Sequence, residues 1–182
     1  MKRIVKEALT LLCITLVAGL CLSFVYELTK GPIANAELQA KAASYKAVMA
    51  EADEFGELSE EQDKLLEEMK AVNEVLTAKD KEGNVIGYVM SVTTNNGYAG
   101  EIIVALGVNA EFKVTGFAPL SHSESPGFGA RMGDDDIKAS FVGVASGAEF
   151  DGISGATITS NALRETVDTA IQTAKTLMEV QQ

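Results

Sequence analysis

A run of small and hydroxyl-bearing residues, Asp151-Gly152-Ile153-Ser154-Gly155-Ala156-Thr157-Ile158-Thr159-Ser160, stands just before a helical pattern. Backbone N–H groups in the first turn of a helix have no intrahelical acceptor and carry partial positive charge. An anionic phosphate is therefore stabilised there without a Lys or Arg. Arg164 is the nearest cation. The same four residues Ser154 to Thr157 also read as a plain helix-capping turn, with Gly155 bending the chain and Ser or Thr accepting N–H bonds. A Thr hydroxyl is a poor nucleophile without a base, and none stands within the motif, so Thr157 is not expected to modify itself.

Positioning such a turn requires a rigid element behind it. After Ser160 an apolar stripe of Ala162, Leu163, Val167, Ala170, Ile171, Ala174, Leu177 and Met178 predicts an amphipathic helix. That helix needs a sheet to pack on. The spacing predicts short strands from Val72 through Val75-Leu76, over Val85 to Val92, over Ile102 to Gly107 and over Phe112 to Ala118. Turn residues separate them at Asp80 to Asn84, Asn95 to Tyr98 and Val108 to Glu111. Consecutive strands this close imply an antiparallel sheet and an α+β class. Asn84 to Gly87 and Phe112 to Gly116 share a turn-then-strand shape, the only internal echo in the sequence.

The chain of 182 residues is 47% hydrophobic, which supports a core. Ala8 to Tyr26 is uncharged and mostly apolar, and as a helix these 19 residues would span about 28 Å, enough to cross a membrane. Lys2, Arg3 and Lys6 precede it, while Glu27 and Lys30 follow and cancel, so the N-terminus is expected in the cytoplasm and the remainder outside. Ala34-Asn35-Ala36 resembles a signal cleavage site, but the apolar run exceeds the usual signal core of about 7–15 residues. Lys30-Gly31-Pro32 is expected to end the helix and Ala34 to Ala52 to form a second one. The expected segments are 1–30 as cytoplasmic start and membrane helix, 31–70 as helical connector and 71–182 as the outer domain. Within the connector, the acidic stretch Asp53 to Lys70 reads as a solvated face.

Both cysteines, Cys13 and Cys21, fall in the apolar segment, so the outer domain has no disulfide and is stabilised by its core. The simplest reading of them is two small apolar residues in a membrane helix. Beyond Ile33 the charge is −13, which repels nucleic acid and anionic lipid surfaces. Asp134-Asp135-Asp136 lacks the alternating spacing of a calcium loop and reads as a helix start or surface cluster. No metal site is expected.

A second constellation, Ser121-His122-Ser123-Glu124-Ser125-Pro126-Gly127-Phe128-Gly129, holds the single His of the chain in a tight Pro-Gly turn after a strand. It resembles the His-x-Glu-Thr-Pro-Gly-Leu-Gly motif of the FMN-binding domain family, with Ser125 in place of Thr and Phe128 in place of Leu. Asp151 to Thr157 is similar to the flavinylation motif of the same family, Asp-x-x-Ser-Gly-Ala-Thr, whose final Thr bears FMN through a phosphoester. Within the family the whole chain resembles the G subunits of Rnf ion-translocating ferredoxin:NAD oxidoreductases. A more distant similarity is to the C subunits of sodium-pumping NADH:quinone reductases.

What the resemblance implies is a covalent FMN on Thr157, installed from FAD by a separate Mg-dependent flavin transferase. Ser154 and Thr159 would steady the phosphate, Gly155 and Ala156 would leave the approach open, His122 and Glu124 would tune the flavin, and Pro126 and Gly127 would shape the pocket. The flavin would pass single electrons on the outer side of the membrane. Its implied partners within the Rnf complex are an iron–sulfur centre held by the A and E subunits and the flavin of the D subunit.

Two other readings remain open on the residues alone. Gly152-Ile153-Ser154-Gly155-Ala156 falls one residue short of the G-x-S-x-G turn of a serine hydrolase, but His122 precedes Ser154 and no later His exists to serve as base. A membrane-anchored binding module without cofactor would treat the Thr157 turn as a cap.

Overall fold

The computed structural model describes residues 2–66, 69–147 and 152–180. Two compact units divide the chain, Met1–Lys41 and Ala42–Gln182. The first is helical, within an element α1 that runs Lys2–Val48. Its 21 residues Lys6–Tyr26 make a helix long and apolar enough to cross a membrane, and their large side chains stand exposed. Two hydroxyls of this unit are satisfied inside the helix. Thr15 Oγ1 donates to the carbonyls of Leu11 and Leu12 at 3.1 and 3.0 Å, and Thr29 Oγ1 donates to Val25 at 2.9 Å. A hydroxyl bonded this way needs no water, as an apolar surrounding requires.

The expected helix stop at Lys30-Gly31-Pro32 is absent, because α1 continues to Val48 as one element. Proline removes a single donor and costs about 3 kcal/mol in a helix interior. The Ala-, Lys-, Glu- and Leu-rich stretch that follows is rich enough in helix formers to carry the helix past it.

In the second unit five strands form one antiparallel sheet in chain order: β1 Glu54–Gly56, β2 Val72–Lys79, β3 Val85–Gly97, β4 Gly100–Asn109 and β5 Val114–His122. Every strand pairs with its sequence neighbour, so only turns are needed to connect β2 through β5. The fold is α+β, as the sequence implies. Asn95 and Asn96, expected in a turn, lie within β3 at a register shift between Thr94 and Gly97. Two side chains there reach α4 (Thr157–Val180): Asn96 Nδ2 donates to Glu165 Oε2 at 2.7 Å, and Thr94 Oγ1 donates to the same oxygen at 3.3 Å. The turn thus moves outward to Tyr98-Ala99.

Residues 42–70, expected as connector, belong to this unit. The acidic stretch supplies β1 and α2 (Glu60–Leu66), whose start is a reciprocal cap. Ser59 N–H donates to Gln62 Oε1 at 3.2 Å and Gln62 N–H to Ser59 Oγ at 3.4 Å. Its carboxylates Glu60, Glu61 and Asp63 face solvent as expected, but Gln62 is buried. Gln62 Nε2 donates to the Tyr88 hydroxyl at 3.1 Å and to the Leu177 carbonyl at 2.9 Å, joining α2 to β3 and α4.

One face of the sheet, with Tyr88, Met90, Val92, Ile102, Val104 and Leu106, packs against Leu163, Val167, Ile171 and Leu177 of α4. A short 3-10 turn, Gly129–Gly133, and α3 (Asp135–Ser140) complete that layer, with Phe141 stacked on Phe117 at 4.3 Å between ring centres. Asp134 and Asp135 open α3 and pair with Arg131 at 3.2 Å and Lys138 at 2.7 Å, so the triple-Asp run is a helix start. The opposite face carries Ala78, Val89 and Ala105, and is covered by Tyr45, Val48, Met49 and Ala52.

Candidate functional site

Three segments converge at one end of the sheet. They are the β3–β4 turn at Tyr98-Ala99, the loop from Glu124 to Gly129 after β5, and the turn that opens α4. Between them lies a cavity of about 520 Å³ lined by Tyr98, Glu124, Ser125, Pro126, Phe128, Gly129, Gly155, Ala156, Thr157, Ile158 and Thr159. That volume falls among small-molecule sites, which run about 300–1,000 Å³.

The α4 turn is fixed from inside. Ile153 N–H donates to Ser160 Oγ at 2.9 Å, Ser160 Oγ donates to the Ala156 carbonyl at 3.0 Å, and Ala156 N–H returns to the Ile153 carbonyl at 2.9 Å. Gly155 takes φ +77°, a left-handed conformation that favours glycine. A Cβ on it would stand 3.3 Å from the Phe128 ring. The first N–H groups of α4, those of Thr157, Ile158 and Thr159, have no acceptor within the helix and carry its positive end.

Glu124 joins the three segments. It is buried, and its carboxylate accepts from Ala99 N–H at 2.8 Å and from the Thr159 hydroxyl. Gly129 makes this possible: a Cβ there would strike Glu124 and come within 2.7 Å of Thr159 Oγ1. The carboxylate thereby pins the β3–β4 turn and the first turn of α4 to the Pro-Gly loop.

The sequence-derived residues separate into two groups. Glu124, Pro126, Gly155, Ala156, Thr157 and Thr159 line the cavity, whereas His122, Gly127 and Ser154 do not. His122 ends β5 opposite Ile102, and its Nδ1 accepts from Glu124 N–H at 3.3 Å. Gly127 takes φ +78° and Ser154 is exposed. The Thr159 hydroxyl is committed to Glu124, while Thr157 is exposed and its hydroxyl makes no hydrogen bond among the described residues. Asp151 lies outside the described residues. Arg164 bonds Asn161 Oδ1 at 3.2 Å and lines a separate groove along α4.

Sequence reasoning missed the contributions of Tyr98 and Ile158 and the part played by Phe128. These three large apolar side chains are 68%, 53% and 56% exposed, in a domain whose other large hydrophobics are mostly packed. The signal available was an aromatic at the tip of a turn, beside an Asn-Asn-Gly run that drew attention to conformation instead.

A cavity beside N–H groups and a hydroxyl that have no partner among the described residues, with apolar side chains in its lining, fits a phosphorylated aromatic ligand such as FMN. Comparison with known proteins agrees with that chemistry. Residues 97–172 match the FMN-binding domain family, and residues 1–48 match the RnfG N-terminal region. The G subunit of the Na(+)-translocating ferredoxin:NAD(+) oxidoreductase complex of Acetobacterium woodii is 28% identical, over 97% of this chain and 94% of its own length. The G subunit of the ion-translocating oxidoreductase complex of Cereibacter sphaeroides is 30% identical, over 84% of this chain and 76% of its own. Among solved structures, the C subunit of the Na(+)-translocating NADH-quinone reductase of Parabacteroides distasonis is 22% identical, with a TM-score of 0.46 over 57% of this chain and 61% of that one.

Proposed function

The chain belongs to the family of G subunits of ion-translocating oxidoreductase complexes, and we propose that it carries electrons in a ferredoxin:NAD oxidoreductase through an FMN esterified to Thr157. The observation that carries this reading is the state of the hydroxyls around the α4 turn. Thr159 donates to Glu124, Ser160 is held between Ile153 and Ala156, and Ser154 stands outside the cavity. Thr157 alone among them lines the cavity with a hydroxyl that has no partner among the described residues.

When bound, FMN supplies the electron acceptance and donation that the protein's own side chains lack. The chain contributes attachment and placement. Thr157 would provide the oxygen, and the N–H groups of the first α4 turn would offer the phosphate positive partial charge. Glu124 and Thr159 brace that turn from beneath, so the phosphate end is held on a rigid helix. A tether also matters for an acidic chain of net charge −11, which would hold a free phosphate dianion weakly.

With no base beside Thr157 among the described residues, the ester is made by a separate flavin transferase, for which the exposed hydroxyl is accessible. The helix over Lys6–Tyr26 anchors the protein, with Lys2, Arg3 and Lys6 keeping the N-terminus cytoplasmic and the flavin domain outside. Electrons would pass between the iron–sulfur centre of the A and E subunits and the flavin of the D subunit.

The test is intact mass and in-gel flavin fluorescence of the full chain produced with the transferase. Wild-type protein is expected to carry one FMN through denaturation, and Thr157→Ala none, with circular dichroism unchanged. Equal mass and fluorescence in the two proteins would overturn the assignment.

A further inference from the structure

Tyr98 and Phe128 combine two properties that otherwise do not occur together around this cavity: both are aromatic and both are largely exposed. Burial of an aromatic ring removes a large apolar area from water, so two exposed rings on one rim are a cost to the isolated domain. Each is nonetheless held by a built support. Tyr98 occupies the tip of the β3–β4 turn, whose next residue, Ala99, donates its N–H to the buried Glu124 carboxylate at 2.8 Å. Phe128 is fixed by the backbone around it: its N–H donates to the Ser125 carbonyl at 3.2 Å, and its carbonyl accepts from Arg131 N–H at 3.0 Å. Its ring lies over Gly155, where the lack of a side chain and the φ of +77° leave it room.

Resting on the Thr157 reading, we propose that Tyr98 and Phe128 are the stacking surface for the isoalloxazine ring, positioning it after the phosphoester has fixed only the far end of the molecule. A phosphoester on one hydroxyl leaves the ribityl chain and ring free to rotate. An electron carrier whose rate depends on ring position needs a second point of contact, and aromatic faces supply one by offset stacking. Glu124 then has a further consequence, because the carboxylate that braces Thr159 under the attachment point also sets the turn that carries Tyr98. One buried group thus spaces the ester end of the site from its ring end.

The experiment uses full-length flavinylated protein in detergent, with Tyr98→Phe, Tyr98→Ala and Phe128→Ala. A phenol in contact with flavin quenches its emission by electron donation to the excited ring, and a phenyl does not. Tyr98→Phe is therefore expected to raise native-state flavin emission while keeping the ring ordered. Tyr98→Ala and Phe128→Ala should lower the steady-state anisotropy, with a fall of about two- to tenfold in the ratio of stacked to free ring. All the variants should retain equal flavin fluorescence in denaturing gels.

Unchanged emission in Tyr98→Phe together with unchanged anisotropy in both alanine variants, at full flavin loading, would overturn the stacking role while leaving the Thr157 ester intact. A wild-type band without fluorescence after denaturation would instead remove the ester, and the stacking proposal with it.

Discussion

Beneath α4 the sheet presents Tyr88, Met90, Ile102 and Leu106, whereas beneath the end of α1 its other face presents Gly107, Gly116, Ala78 and Ala105. The first contact is made by side chains interlocking. The second is made by backbone on backbone: a Cβ on Gly116 would stand 2.6 Å from Val48 Cα, and Thr115 Oγ1 donates to the Val48 carbonyl at 2.7 Å. The α4 side draws its stability from buried apolar volume, and the α1 side from close fit. These faces should therefore fail in opposite ways, one when atoms are removed and the other when they are added.

Removal on the α4 side gives the largest expected effect. Leu163→Ala, at a fully buried position, should cost about 2–5 kcal/mol through lost transfer energy and a residual cavity, read from urea unfolding of the domain. Addition on the α1 side comes next. Gly116→Ala should cost about 1–3 kcal/mol, since the Val48 backbone has to move. A Gly116→Ala domain as stable as wild type would break the comparison.

The smallest effect is the pH dependence that Tyr45 contributes on the α1 side. Burial, and then the Glu74 carboxylate that accepts from the Tyr45 hydroxyl at 2.7 Å, push the Tyr45 phenol well above its ordinary value of 10.0. A pKa raised in the folded state means that stability is intact below the unfolded value and falls as pH climbs beyond about 10. Thermal midpoints should drop above pH 10 in wild type and drop less in Tyr45→Phe.

The α4 side was largely legible in the sequence. Ala162, Leu163, Val167, Ala170, Ile171, Ala174 and Leu177 are all buried, because a helix on a sheet obeys a single period. The α1 side was not. Glycines 107 and 116 lie in strands, where no local pattern says that a backbone from about 60 residues earlier comes to rest. Charge concealed β1 and α2 in a stretch dominated by Glu and Asp, although Ser59 and Gln62 stand at capping-box spacing. Among the residues that line the cavity, Thr157 was legible from its place at a helix start, and Glu124 from its Pro-Gly loop. The Glu124 links to Ala99 and Thr159 bridge 25 and 35 residues and could come only from the fold. The same holds for Tyr98 and Phe128 lining one cavity.

The order of the strands has a bearing on timing. In a meander each strand finds its partner already made when the chain grows from its N-terminus, so β1 through β5 can zip in sequence with no wait for a distant segment. The helix that follows the strands in the chain, α4, both covers the sheet and brings Thr157 to the cavity rim. A chain cut short before α4 would have a sheet but would lack the wall of the cavity that Gly155 to Thr159 supply, so the site is complete only once the helix after the strands has been made.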